Sequence, residues 1–263
     1  VVPAPKGQPL AIGDTVYIYN VGQKAWINKG ESWGTQAVVN ASSGLKYVVK
    51  QTMEENTGAE VLTEARYYLW SDCGKNNHYL KRIADGKTGT DNKACFVDGA
   101  NNSGNPLQWE IAELGGNKYT IKRPELFQDE TSTDGGLTWE YVEGEFLGVN
   151  LTHDRLWDGK SWTEAGYTEQ PATYALWFDV QAGDNATWLF VSPKDYDAYA
   201  LKFALKDALE KAEAQGVDDI TSEEAVFNNA SATEEEINAA INSLNNKIAT
   251  LVDPTNPIDM TSN

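Results

Sequence analysis

The chain has 263 residues, 41% of them hydrophobic, and nine tryptophans, enough apolar material for a packed core. Its net charge of −18 opposes binding to nucleic acid or to an anionic membrane surface, because neutralising phosphate requires clustered Lys and Arg. No run approaches the roughly 20 apolar residues that cross a bilayer, and the first residues lack the apolar stretch of a signal peptide. If the protein is exported, as a secreted or cell-surface protein, its signal has already been removed.

The N-terminal part of the chain consists of short β-like runs separated by Gly, Asn, Asp and Ser. Three aromatic runs centre on Tyr17, Tyr68 and Tyr119, which are spaced 51 residues apart. A second predicted strand follows each run, at 25–28, 78–81 and 145–148. Third strands are predicted at 37–39 and 94–97, and the third copy shows no clear equivalent. Fourth strands are predicted at 45–49, 107–111 and 176–180. The spacing indicates a threefold repeat whose units pool one hydrophobic core.

This arrangement resembles a β-trefoil of three four-stranded repeats, and specifically the ricin-type lectin-like branch, over residues 8–192. The stretches 17–22 and 33–37 also resemble the opening of trefoil modules in secreted multidomain proteins of gut bacteria. Ricin-type lectins carry Gln, any residue, Trp in each repeat. Here Gln108 directly precedes Trp109, and the other two predicted fourth strands lack the pattern. The resemblance therefore supports the fold better than it supports sugar binding.

The periodicity becomes helical between Leu201 and Leu251, and the boundary falls near Ser192 and Pro193. From residue 195 onward there are 14 Asp and Glu against four Lys, which marks a separate acidic unit. Two amphipathic segments predict an appended α-helical hairpin or small bundle. Gly216 suits the end of the first helix, and Thr233 followed by Glu236 has the spacing of a capping box at the start of the second.

Residues 193–252 of this acidic unit resemble the FIVAR-like helical repeats of surface glycosidases. The resemblance rests on the motifs at 216–218, 227–229 and 232–240. It implies a spacer or presentation role. Residues 253–263 look like a linker to a possible further module.

The residues offer little catalytic chemistry. His78 and His153 are the only histidines, and we interpret both as structural. We find no nucleotide-binding, hydrolase or metalloprotease motif, so we predict no enzyme activity, no cofactor and no metal site. An acidic insertion before Phe146 could bind calcium, but it lacks EF-hand spacing and is better explained as a solvated loop. Cys73 and Cys95 could form one disulfide or could both be buried thiols.

Aromatic residues in turns are the best binding candidates. Trp33, Trp157, Asp158 and Trp162 break the strand periodicity, and an exposed ring can stack on a sugar while a neighbouring carboxylate accepts hydrogen bonds from its hydroxyls. The same rings could instead cap the barrel. The remaining candidate core tryptophans lie in strand-like runs: Trp26, Trp70, Trp109, Trp177 and Trp188.

The sequence thus favours a non-catalytic module that binds a glycan or a host component, within a chain that can carry further domains. Three alternatives stay open. The chain could be a protein-interaction or structural module without a small-molecule site, an accessory region of a larger glycoside hydrolase, or a trefoil-type protease inhibitor acting through residues 125–141.

Overall fold

The computed structural model describes residues 1–30, 35–51, 65–82, 94–99, 107–122, 126–129, 138–141, 146–153 and 173–251. It divides into two compact units. One unit is Gly7–Ser192, which is built from strands, and the other combines Val1–Lys6 with the helical residues from Pro193 onward. The three candidate rings Trp33, Trp157 and Trp162, together with Asp158, lie outside the described residues.

The strand unit is organised around a closed ring of six antiparallel strands. In order around the ring these are β1 (Thr15–Asn20), β4 (Lys46–Lys50), β5 (Arg66–Ser71), β8 (Trp109–Gly115), β9 (Lys118–Lys122) and β15 (Trp188–Val191). The last strand pairs with the first, with Tyr17 opposite Val191. Because every strand of the ring has two neighbours, this barrel has no open edge.

Three hairpins complete the repeats, one after the first barrel strand of each. They are β2 (Ala25–Lys29) with β3 (Ala37–Asn40), β6 (Tyr79–Arg82) with β7 (Cys95–Gly99), and β12 (Phe146–Gly148) with β14 (Trp177–Val180). The short strand β13 (Tyr174–Ala175) joins the third hairpin to β3, and β10 (Leu126–Asp129) pairs with β11 (Thr138–Tyr141) within the third repeat. Six barrel strands and three hairpins in three successive four-stranded units are a β-trefoil, as the sequence predicted.

The hairpins meet around a pseudo-threefold axis through their third strands. The backbone N–H of Leu176 donates to the carbonyl of Ala37 at 2.8 Å, and that of Cys95 donates to the carbonyl of Leu176 at 3.1 Å. All three side chains are buried in the barrel core. These contacts fix Ala37, Cys95 and Leu176 as equivalent positions of the three repeats.

Two tryptophans tie the hairpins to the barrel. The indole N–H of Trp109 donates to the carbonyl of Leu80 at 2.9 Å, and that of Trp188 donates to the carbonyl of Leu147 at 2.8 Å. In each case a fully buried ring of the fourth strand satisfies a buried carbonyl of the second strand. The same device therefore operates in the second and third repeats.

The first repeat replaces this device. Tyr47 stands where the other repeats have tryptophan, and the carbonyl of Ile27 instead accepts a hydrogen bond from the backbone N–H of Leu45 at 2.8 Å. The Tyr47 hydroxyl is buried near that of Ser71, and neither hydroxyl forms a hydrogen bond of standard geometry within the described residues. Burial raises the pKa of this phenol well above its ordinary value.

The predicted fourth strand of the third repeat is wrong. Residues 177–180 form the third strand, which the sequence left unassigned, and Trp188–Val191 is the fourth. The 51-residue register also slips by one in the third copy. Ile18, Leu69 and Ile121 share the barrel core, so Tyr119 faces inward whereas its predicted counterparts Tyr17 and Tyr68 do not. A slip of one residue exchanges the two faces of a strand.

Both cysteines are buried thiols that form no disulfide, and both belong to the barrel core. The thiol of Cys73 donates to the carbonyl of Asn77 at 3.3 Å, and burial raises the pKa of this thiol. Of the two alternatives that the sequence left open, the structure shows buried thiols.

The second unit contains three helices, α1 (Pro193–Ala214), α2 (Thr221–Asn228) and α3 (Glu234–Leu251). The predicted small bundle is therefore present, with α2 as an additional helix. Gly216 has a φ of +79° and follows α1, where the N–H of Val217 donates to the carbonyl of Ala212 at 3.1 Å. The capping box before α3 is reciprocal, since the N–H of Glu236 donates to the hydroxyl of Thr233 and the N–H of Thr233 donates to the carboxylate of Glu236.

Two buried charged side chains link the helices of this bundle to one another. The ammonium of Lys202 in α1 donates to the carbonyls of Phe227 at 2.9 Å and Asn229 at 2.6 Å, at the end of α2. Glu223 of α2 accepts from the hydroxyl of Ser243 at 2.6 Å and forms an ion pair with Lys247 at 2.8 Å. Both links join different helices, so they fix the register of the bundle as well as its compactness. Within the described residues, no helix is long and apolar enough to span a membrane.

Replacing Trp109 or Trp188 with Phe should lower the free energy of unfolding of the trefoil by about 2–4 kcal/mol, because a buried carbonyl loses a donor and the core loses ring volume. Tyr47→Phe should change this free energy by less than about 1 kcal/mol, since the deleted hydroxyl forms no hydrogen bond of standard geometry within the described residues. Urea unfolding followed by tryptophan fluorescence measures these changes in the trefoil alone, because all nine tryptophans precede Ser192. Equal losses in all three variants would contradict the assigned roles.

Acid should weaken the helical unit through Glu223. Burial opposes its charge, but hydrogen bonds from Lys247 and Ser243 lower the pKa of this carboxyl from 4.5 to about 2. A lowered pKa contributes stability above about pH 4.5, about 3 kcal/mol at full ionisation, and that contribution disappears as the pH falls toward about 2.

Glu223→Gln should therefore destabilise the helices at neutral pH and have little effect near pH 2, as measured by urea unfolding followed by far-UV circular dichroism. The exposed neighbour Glu224→Gln is the matched control, and it should leave stability nearly unchanged. A Glu223→Gln effect that does not depend on pH would exclude the ionised carboxylate as its cause.

Candidate functional site

The outward face of each third strand is the position where a trefoil hairpin can present side chains to a ligand. Inward residues of these strands belong to the barrel core, so the residues between them point away from it. With Ala37, Cys95 and Leu176 as equivalent positions, two outward positions follow in each repeat. The first holds Val38, Phe96 or Trp177, and the second holds Asn40, Asp98 or Asp179.

In the third repeat the second outward position carries an organised carboxylate. One oxygen of Asp179 accepts from Nε2 of His153 at 2.8 Å, and the other accepts from the amide of Asn150 at 3.3 Å. Because a carboxylate only accepts, Nε2 of the imidazole must carry the proton. The side chains of His153 and Asp179 are 12% and 17% exposed, so the pair reaches the surface.

A short turn after β12 positions these partners. Oδ1 of Asn150 accepts from the backbone N–H of Thr152 at 3.0 Å and from its hydroxyl at 2.6 Å, while the N–H of His153 donates to the carbonyl of Asn150. This turn lets the Asn150 amide nitrogen point at Asp179.

The imidazole of His153 lies on the indole of Trp177, with ring centroids 4.3 Å apart and planes inclined by 43°. Trp177 is only 4% exposed and belongs to a small apolar cluster separate from the barrel core, together with Phe96 and Ala94. An aromatic surface, an amide donor and a carboxylate acceptor thus converge beside one hairpin.

The other two repeats are built differently at this position. In the second repeat, the ammonium of Lys81 lies 5.8 Å from the centre of the Phe96 ring. Phe96 lies two positions before Asp98 in the sequence. In the first repeat, Oδ1 of Asn40 accepts from Ser42 and Ser43 of its own turn, and Val38 replaces the ring. The second and third repeats therefore share an aromatic residue covered by a basic side chain, and the first does not.

The five strand tryptophans predicted to form the core divide into two groups. Trp109 and Trp188 are in the barrel core. Trp26 and Trp177 are buried outside it, and Trp70 is half-buried, with the His78 ring at 5.1 Å and the Lys50 ammonium at 5.1 Å from its centre. Strand alternation explains the division, because neighbouring strand positions face opposite sides. The core prediction is confirmed for the four buried tryptophans, although Trp26 and Trp177 lie outside the barrel core, and it was wrong for Trp70, which is half-buried.

The geometry of the third repeat is suited to binding. The hydroxyl of Thr152, next to His153 in sequence, donates to Asn150 and does not complete a nucleophile–histidine pair. No group of three or more His, Cys, Asp or Glu in the described part of the chain is placed to hold a metal ion. An oriented carboxylate beside an aromatic ring matches a ligand that has hydroxyl groups and an apolar face.

The solved structures to which this chain is similar include the following three. A ricin B-like lectin of Macrolepiota procera, in complex with lactose, is 16% identical over 71% of this chain and 100% of that chain, with a TM-score of 0.40. The designed threefold-symmetric protein ThreeFoil is 13% identical over 68% and 98% of the two chains, with a TM-score of 0.35. Trypsin inhibitor 1 from Senna obtusifolia is 12% identical over 73% and 98%, with a TM-score of 0.40. No family model and no curated protein matches the chain.

Removing the Asp179 carboxylate should loosen the third hairpin. Asp179→Ala should lower the free energy of unfolding of the trefoil by about 1–2 kcal/mol, because the amide of Asn150 and the N–H of His153 both lose their acceptor. The matched control is Asp72→Ala, at an exposed position after β5. Urea unfolding followed by tryptophan fluorescence gives both values, and equal effects of the two variants would show that the Asp179 network adds no stability.

Proposed function

We propose that the trefoil unit is a non-catalytic glycan-binding module whose main site lies at the hairpin of the third repeat. The observation that carries this proposal is the network of Asn150, His153 and Asp179 over Trp177. Sugars combine hydroxyl groups with apolar C–H faces, and proteins bind them with carboxylates, amides and aromatic rings held in fixed positions. The third repeat holds each of these groups within one hairpin.

The chain connectivity adds candidate contacts to the same site. Residues 154–172, which join His153 to the strands β13 and β14, include Trp157, Asp158 and Trp162. The sequence singled out these residues because their rings break the strand periodicity. We propose that they contribute further stacking surfaces and a further acceptor, and that Trp33 plays a corresponding role in the first repeat.

The helical unit is proposed to act as a spacer or presentation element, and the chain to act at the cell surface or outside the cell. The contacts that Lys202 and Glu223 make between helices support the role of a rigid spacer, because they fix how the three helices pack. The resemblance of this segment to FIVAR-like repeats supports the same role.

Three alternative functions are a host protein as ligand, an accessory role in a glycoside hydrolase, and protease inhibition through residues 125–141. A protease panel tests the last directly.

Replacing Trp157 and Trp162 together with Ala should abolish glycan binding and leave thermal stability nearly unchanged, because rings that serve a ligand add little to the core. A glycan array followed by titration calorimetry measures binding, and thermal unfolding measures stability. Trp139→Ala, in β11, is the control and should retain binding. A loss of stability with the double substitution would show that these rings cap the barrel. A wild-type protein that binds nothing on the array would refute the glycan proposal.

A further inference from the structure

We propose that His153 is an internal cover of the Trp177 ring, and that a sugar binds in the third repeat by displacing the imidazole and taking over its contacts. This inference rests on the glycan-binding function proposed above. It assigns to His153 a specific role in setting affinity, which differs from a direct contact with the ligand.

The imidazole makes the two contacts that this site would offer to a sugar. Its planar body lies on the Trp177 indole at a centroid distance of 4.3 Å, and its N–H donates to the Asp179 carboxylate at 2.8 Å. A hexose presents a C–H face to an aromatic ring and a hydroxyl donor to a carboxylate. The two groups therefore compete for one ring and one carboxylate.

The contacts of His153 also allow it to leave. Its side chain is 12% exposed and lies in a turn outside β12 and β14, so displacing the imidazole breaks no strand pairing. Asp179 stays in place because its other oxygen still accepts from the amide of Asn150. The oxygen that His153 vacates is then available to a ligand hydroxyl.

The other histidine provides a matched comparison. The ring of His78 lies 5.1 Å from that of Trp70, and its Nδ1 donates to the carbonyl of Ser71 at 3.1 Å. A neutral backbone carbonyl is a weaker acceptor for a sugar hydroxyl than the charged carboxylate of Asp179. His78 thus shares the ring stacking of His153 and lacks the exchangeable carboxylate.

The affinity test uses the full chain and free galactose, glucose, mannose and N-acetylglucosamine, with titration calorimetry as the measurement. His153→Ala should bind the recognised sugar about five- to tenfold more tightly than the wild type, because the sugar no longer competes with an internal ligand. His153→Gln should also gain affinity, by a smaller factor, since its amide can still donate to Asp179 but cannot cover the ring. His78→Ala should leave affinity unchanged.

Proton NMR of the two histidine rings tests the displacement itself. The His153 ring protons are shielded by the Trp177 indole in the free protein, and they should move downfield when the sugar saturates the site. The His78 signals should not move. Because the chain has only two histidines, the His153→Ala and His78→Ala spectra assign both sets of signals.

Weaker binding by His153→Ala would make His153 a ligand contact and would overturn the covering role while glycan binding stands. Saturation of the wild type without any shift of the His153 ring signals would overturn it in the same way. If neither the wild type nor His153→Ala binds any of the four sugars or any array glycan, the glycan function itself fails. Binding by His153→Ala with none by the wild type would support both proposals.

Discussion

The structure of the strand unit depends on the closure of six strands into one ring. No single four-stranded repeat can enclose a core, so Ile18, Leu69 and Ile121 come from three different repeats and share one interior. The hairpins gain their positions from that interior. In two repeats the buried indole of a barrel strand holds a hairpin carbonyl, and a lost indole would leave a polar group unpaired where no water replaces it.

This coupling between barrel and hairpin is what places the candidate site. Phe178 of β14 and the preceding Leu176 are packed in the barrel core, and this alternation directs Trp177 and Asp179 to the other side. The site therefore has a rigid base that needs no ordering when a ligand arrives. Among the described residues of the site, we expect His153 to be the adjustable element, because its contacts are made by its side chain and by a short turn. Rigid acceptors with a single movable cover favour specific binding, because the ligand has to offer more than the internal contact it replaces.

The three repeats share one architecture, but the side chains on their outward faces make different contacts. The first repeat satisfies its polar group within its own turn, the second covers Phe96 with a lysine, and the third pairs a histidine with a carboxylate over Trp177. The barrel tolerates this divergence because the outward positions lie outside the barrel core. In the helical unit, by contrast, the charged side chains of Lys202 and Glu223 are buried, and they join one helix to another.

The sequence by itself determined a strand part followed by a helical part, the threefold β repeat, the end of α1 and the start of α3, whereas α2 was not predicted. These features depend on local chemistry: alternation within strands, a glycine with positive φ at Gly216, and the reciprocal cap of Thr233 and Glu236. The candidate residues in turns were selected on the same local grounds, and Trp33, Trp157, Asp158 and Trp162 remain predictions.

The tertiary structure alone decided which strand closes the third repeat, which tryptophans reach the core, and how Asn150, His153 and Asp179 come together. Residues 176–180 and 188–191 are both short apolar runs, and only pairing with β1 distinguishes the barrel strand from the hairpin strand. His153 and Asp179 lie 26 residues apart in sequence, too far for local periodicity to relate them. Their contact, like the burial of Glu223, follows from long-range packing, which no local pattern encodes.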